Sequence, residues 1–146
     1  SDPSVKVRPG FKEFIEYCRG KGYKTIIVSN GLIFYIEAIL EQQGIKGLEI
    51  VAAENVFFKG GMNVRYVDPN GKEVDTAFKE SYTADLRKKG YSIIYIGNGT
   101  SDIHPARMAK TVFATQDLLE KCKKDGLAHH PFNDFFDVIN TLEKLD

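Results

Sequence analysis

Hydrophobic positions along this chain change their period repeatedly, and each change marks an element. Behind Pro9-Gly10, the residues Phe11, Phe14, Ile15 and Cys18 recur at i, i+3, i+4 and i+7. That stripe predicts an amphipathic helix, ended by Gly20 and Gly22. In "YKTIIVSNG", Ile26 to Val28 read as a short buried strand that Ser29-Asn30-Gly31 breaks. Leu32 to Gln43 reads as a second helix closed by Gly44, and residues 48 to 53 as another strand. The rhythm then shortens. Extended runs over 55 to 58 and 62 to 67 flank Gly60-Gly61 and predict a β-hairpin, with a turn at Asp68-Pro69-Asn70-Gly71.

A helix over 75 to 89 carries Phe78, Tyr82 and Leu86 on one face and stops at Gly90. "YSIIYIG" is a strand apolar on both faces, and it ends abruptly in "GNGTSD". Beyond it the pattern predicts a helix around 102 to 109, a strand "TVFA", a helix over 116 to 124 and a last helix over 133 to 144. Strands alternating with helices predict an α/β fold with a parallel sheet and right-handed crossovers. Two βαβ units stand out, at 23 to 53 and 91 to 114. In both, the first strand ends in a polar, glycine-containing loop that opens a helix. This sets "SNG" and "GNGTSD" on one rim of the sheet, where open α/β sheets hold ligands. The plain alternative is that both loops are tight βα turns.

Length and composition narrow the classes. A chain of 146 residues, 42% hydrophobic and 27% charged, is sized for one soluble domain, taken as residues 1–146. Twenty basic and twenty acidic side chains cancel, which argues against partners held by bulk charge such as nucleic acid or anionic membrane. No apolar stretch reaches membrane-spanning length, and no leader pattern opens the chain. Cys18 and Cys122 have no CxxC spacing, so two free thiols and a cytoplasmic setting are expected.

The rim residues each carry two readings. Ser29, with the amides of Asn30 and Gly31 at a helix start, could hold an anion, or Ser29 could be an N-cap. Asn98 and Asp102 offer hard oxygen ligands of the kind Mg²⁺ selects, or Asp102 could cap its helix. Lys79, near the start of the helix that leads back to the second unit, could neutralise a phosphate oxygen, or stay a solvated surface charge. His104, His129 and His130 lack the spacing of a metal site. "GNGTSD" lacks the third glycine and the later acid of a dinucleotide fingerprint.

In combination, "RPGF…GYKTIIVSNG", Lys79 and "YIGNGTSD" resemble the haloacid dehalogenase superfamily, and within it the phosphoserine phosphatase-like branch. The closing "VFATQDLLEKCKKDGLAHHPFNDF" looks like the small phosphatases of methionine salvage, which act on a methylthiopentenyl phosphate. The resemblance implies a Rossmann-like three-layer core and Mg²⁺-dependent hydrolysis of a small phosphorylated metabolite through an aspartyl-phosphate. It implies Ser29, Asn30, Gly31 and Lys79 as phosphate-binding, Lys79 as catalytic, and Asn98 and Asp102 as the metal pair. Two departures stand out. The Asp-x-Asp strand that supplies nucleophile and general acid/base in that family is missing, since the only acids before Ser29 are Asp2, Glu13 and Glu16. The helical cap that follows it is missing too. The family places that strand between "TIIVS" and "IIYIG", so the chain is expected to be an incomplete core. A homodimer or a complementing N-terminal fragment would be its partner. Asn98 stands where the family has an acid. A non-catalytic binding or assembly module is the rival reading.

Overall fold

The computed structural model describes residues 8–58, 61–65 and 78–145. Six helices and six strands are described, in the order α1 (Phe11–Gly20), β1 (Ile26–Leu32), α2 (Ile33–Gln42), β2 (Glu49–Phe58), β3 (Gly61–Arg65), α3 (Phe78–Lys88), β4 (Ile94–Gly97), α4 (Ile103–Ala106), β5 (Thr111–Ala114), α5 (Gln116–Asp125), β6 (His130–Pro131) and α6 (Phe135–Leu145). Both crossover units are present: β1 pairs parallel with β2, and β4 pairs parallel with β5. β2 and β3 form the expected antiparallel hairpin. The strands make two three-stranded sheets, β1-β2-β3 and β4-β5-β6. The predicted turn at 68 to 71 lies outside the described residues.

Alternation along the strands builds the layers. On one face, Phe113 of β5 and Ile94 and Ile96 of β4 join Phe14, Ile15 and Cys18 of α1 and Val138 and Leu142 of α6. On the other face, Val112 and Ala114 of β5 and Tyr95 of β4 meet Ile103, Ala106, Leu118 and Cys122. Phe113, Leu118 and Val138 are 0% exposed, and each such side chain contributes roughly 1.5–3 kcal/mol by leaving water. Helices on both sides of parallel strands are the three-layer α/β arrangement. Both cysteines are free and buried.

Four elements differ from expectation, the first being β2, which runs unbroken through the expected strand over 48 to 53 and the expected hairpin arm over 55 to 58. β1 does not stop at Val28 but runs through Ser29-Asn30-Gly31 to Leu32, with a register break between Val28 and Leu32. The polar triplet is therefore an irregular stretch inside a strand, and α2 starts at Ile33 rather than on it. The expected helix over 102 to 109 is a 3-10 turn, Thr100–Asp102, followed by the four-residue α4. β6 is a two-residue strand with no periodicity to announce it; Phe113 pairs with His130 there through a ladder laid down by β5.

Candidate active site

The site is built at the end of β4. After Gly97 the chain turns through Asn98 and Gly99, and the 3-10 turn swings Asp102 back underneath that loop. A side chain at 97 is excluded: a Cβ there would lie 2.7 Å from Oδ2 of Asp102. The loop is stitched to the start of α5, with the Thr115 amide donating to the Gly97 carbonyl (3.2 Å) and the Leu118 amide to that of Asn98 (3.2 Å).

Asp102 is 2% exposed, and its carboxylate is saturated with donors. Lys79 Nζ donates to Oδ1 at 2.8 Å and the Tyr95 hydroxyl to the same oxygen at 2.5 Å. The amides of Asn98 (3.2 Å) and Gly99 (3.0 Å) both donate to Oδ2. Burial alone would raise the Asp102 pKa. The bonds from Lys79, Tyr95 and the Gly99 amide, with the Lys79 charge, outweigh it and hold the carboxyl below its ordinary value. Burial, the Asp102 charge and the bond to it push the Tyr95 phenol far up, so Tyr95 stays a donor. Asp102 makes no cap bond to the amides of α4, so the helix-cap reading of its side chain is set aside.

Lys79 sits in the first turn of α3 with its side chain 17% exposed, so it is not a solvated surface charge. Its carbonyl accepts a 2.8 Å bond from the hydroxyl of Thr83, itself 4% exposed. α3 packs against β1, which carries the Ser29 triplet. The side chains of Ser29 and Asn30 lie outside the described part of the structure, so of the three expected rim groups the described geometry joins Lys79 and Asp102.

The predicted metal pair is unequal. Asn98 is exposed at the loop tip, whereas both oxygens of Asp102 are already taken. Among the described residues, no group of three or more His, Cys, Asp or Glu side chains could hold a metal ion. One amide oxygen and one saturated carboxylate do not make a Mg²⁺ site by themselves. His129 and His130 serve elsewhere: His129 Nδ1 lies 2.7 Å from the Leu127 carbonyl oxygen, and the His130 ring lies 5.3 Å from that of Phe113.

Residues 2–107 match the haloacid dehalogenase-like hydrolase family. The chain belongs to that family. Among curated relatives, the 2-hydroxy-3-keto-5-methylthiopentenyl-1-phosphate phosphatase of Geobacillus kaustophilus is 31% identical, across 98% of this chain and 66% of its own length. Pdp3-interacting factor 1 of Schizosaccharomyces pombe is 30% identical, across 97% of this chain and 66% of its own length. The chain thus spans just under two thirds of the length of these two relatives. Among solved structures, apo phosphoserine phosphatase superposes with a TM-score of 0.51 at 19% identity, over 80% of this chain and 66% of its own. That likeness is one of fold.

Sequence reasoning missed Tyr95, the fourth donor to Asp102. Alternation did carry the signal. In "IIYIG", Tyr95 is the one polar-tipped residue of the strand and faces opposite to Ile94 and Ile96, the side on which Asp102 returns.

Proposed function

We propose that this chain is the phosphate-gripping part of a haloacid dehalogenase-type phosphomonoester phosphatase, with the aspartate nucleophile supplied by residues outside these 146. The observation that carries the reading is the buried Lys79–Asp102 pair at the tip of β4. A lysine there keeps two N–H donors beyond the one it gives Asp102, and its position is set before any ligand arrives. Phosphoryl transfer depends chiefly on such prearranged charge. Lys79 would neutralise the phosphoryl oxygens, and Ser29 with the amides of Asn30 and Gly31 would hold them. Asp102 would act as the positioning residue for Lys79 rather than as a direct ligand. Asn98 would offer one oxygen to a Mg²⁺ site that acids from elsewhere complete. The substrate would be a small phosphorylated metabolite, with the methylthiopentenyl phosphate named for the Geobacillus relative as first candidate.

The test uses the chain as it stands. Titration with inorganic phosphate should give binding that Lys79→Ala weakens about tenfold or more, the loss of one charge-assisted hydrogen bond. The chain alone should not hydrolyse p-nitrophenyl phosphate. Binding indifferent to Lys79→Ala, or Mg²⁺-dependent turnover by the chain alone, overturns the proposal. Asn98 at the acid's position supports a second reading, a non-catalytic binding module. On that reading phosphate would not bind at all.

A further inference from the structure

Arg8 stands apart from the Lys79–Asp102 pair yet on the same rim of the sheet. β4, β5 and β6 run parallel, so the loop after Gly97 and the segment after Pro131 leave one edge together. Arg8 donates from Nη1 to the Asn133 carbonyl at 2.6 Å, and its guanidinium lies 5.7 Å from the ring centroid of Phe132. The backbone beside it is clamped to α6. The Phe135 amide donates to the Pro9 carbonyl at 2.9 Å, and a Cβ at Gly10, where φ is 85°, would lie 2.8 Å from the Phe136 amide nitrogen. A surface arginine ordinarily keeps its many rotamers in water; this one is held at one nitrogen and against one ring before any ligand arrives.

Its donors are not spent, since a guanidinium carries five N–H groups. Among the described residues, the Asn133 carbonyl is its one hydrogen-bond partner and no carboxylate pairs with it. The acids of the neighbouring loop are engaged with amides: Asp137 Oδ2 accepts those of Asn133 and Asp134, and Asp134 Oδ1 accepts that of Asp137. Arg8 lines one cleft of about 290 Å³ together with Gly97 and Asn98. That volume is at the small end for a ligand site, so a molecule held at the β4 loop is within reach of Arg8.

We infer that Arg8 is a specificity residue: its guanidinium fork takes the sp² oxygens, keto or carboxylate, that a bound phosphomonoester carries close to its phosphoryl group. A planar set of donors suits such oxygens, which an alkyl tail does not supply. The inference rests on the phosphate-gripping reading above and names the half of the ligand that Lys79 does not hold. It sets oxo- and carboxy-substituted phosphomonoesters ahead of plain alkyl ones.

Calorimetric titration of the chain with inorganic phosphate, propyl phosphate, dihydroxyacetone phosphate and phosphoglycolate tests this. Dihydroxyacetone phosphate adds a keto oxygen at no extra charge and should bind about tenfold or more tightly than propyl phosphate, the worth of one hydrogen bond to a charged group. Arg8→Gln should erase that margin while leaving inorganic phosphate nearly unchanged. Arg8→Lys, which keeps the charge and an apolar stem but not the fork, should lose most of it too. The ratio of the keto to the carboxylate ligand tells which oxygen the fork prefers. A margin absent from the wild type, or one that survives Arg8→Gln, overturns the inference. So does a margin shown by phosphoglycolate alone and kept by Arg8→Lys, the mark of plain charge attraction. Lys79→Ala separates the two readings, because it should weaken all four ligands in parallel. If it changes none of them while the margin still follows Arg8, the phosphate-gripping reading falls and the role of Arg8 stands. Failure of the wild type to bind any of the four overturns both.

Discussion

Lys79 and Asp102 meet at 2.8 Å although 23 residues separate them, and the carboxylate between them is almost sealed from water. A buried ion pair is held by its hydrogen bonds as much as by its charge, and removing one partner leaves the other stranded.

The two ends of this pair should therefore respond unequally. Asp102→Ala strands the Lys79 ammonium, the Tyr95 hydroxyl and two loop amides, and should lower stability by roughly 3–5 kcal/mol. Lys79→Met leaves the carboxylate with three donors and should cost less. The double variant should fall short of the sum, because the two share one interaction. Urea unfolding of the set measures this; strict additivity contradicts the pairing.

Tyr95→Phe removes a single oxygen from a strand face and leaves the ring in place. A hydrogen bond to a charged group is worth about 1.5–3 kcal/mol, and the loss should appear in that range. A change of only a few tenths in the same unfolding assay speaks against the Tyr95–Asp102 bond.

The glycines of the loop should separate cleanly. A Cβ at Gly97 would come within 2.7 Å of the Asp102 carboxylate, whereas at Gly99 the nearest atom would be 3.7 Å away, ordinary contact. Gly97→Ala should destabilise by about 1–3 kcal/mol through overpacking. It should also weaken phosphate binding, because Asp102 must move and Lys79 with it. Gly99→Ala should do little on either count, as phosphate titration and unfolding of both variants will reveal.

Acid should release the site. The Asp102 carboxyl lies below its ordinary value in the folded chain, so between the two values the unfolded chain binds more protons. Its contribution is complete above the unfolded carboxyl value of about 3.9, shrinks as pH falls toward the folded value, and is gone below it. The wild-type urea midpoint should drop across that acid window more steeply than that of Asp102→Asn. Parallel profiles overturn the assignment.

Much of this was readable along the chain, and the failures have causes. The α1 stripe and the half-buried "IIYIG" strand were clear because each repeats a local period that a packed layer then uses. Ser29-Asn30-Gly31 was read as a strand end because such residues break regular ladders. β2 continues beside it, so the strand absorbs the triplet as an irregularity. The helix expected from Asp102 onward is only the four residues of α4, and the Asp102 carboxylate goes to the loop amides and Lys79 instead of capping it. β6 had no pattern at all, being two residues recruited by the free edge of β5.

What the order of residues determined by itself was the alternation of strands and helices and the glycine at 97. These follow from local sterics and short-range periodicity. The tertiary structure alone decided that Asp102 would take its four donors from a helix, a strand and a loop, and that β1 and β4 would face each other across an apolar cleft. Contacts between distant segments depend on how whole layers pack, which no window along the chain contains.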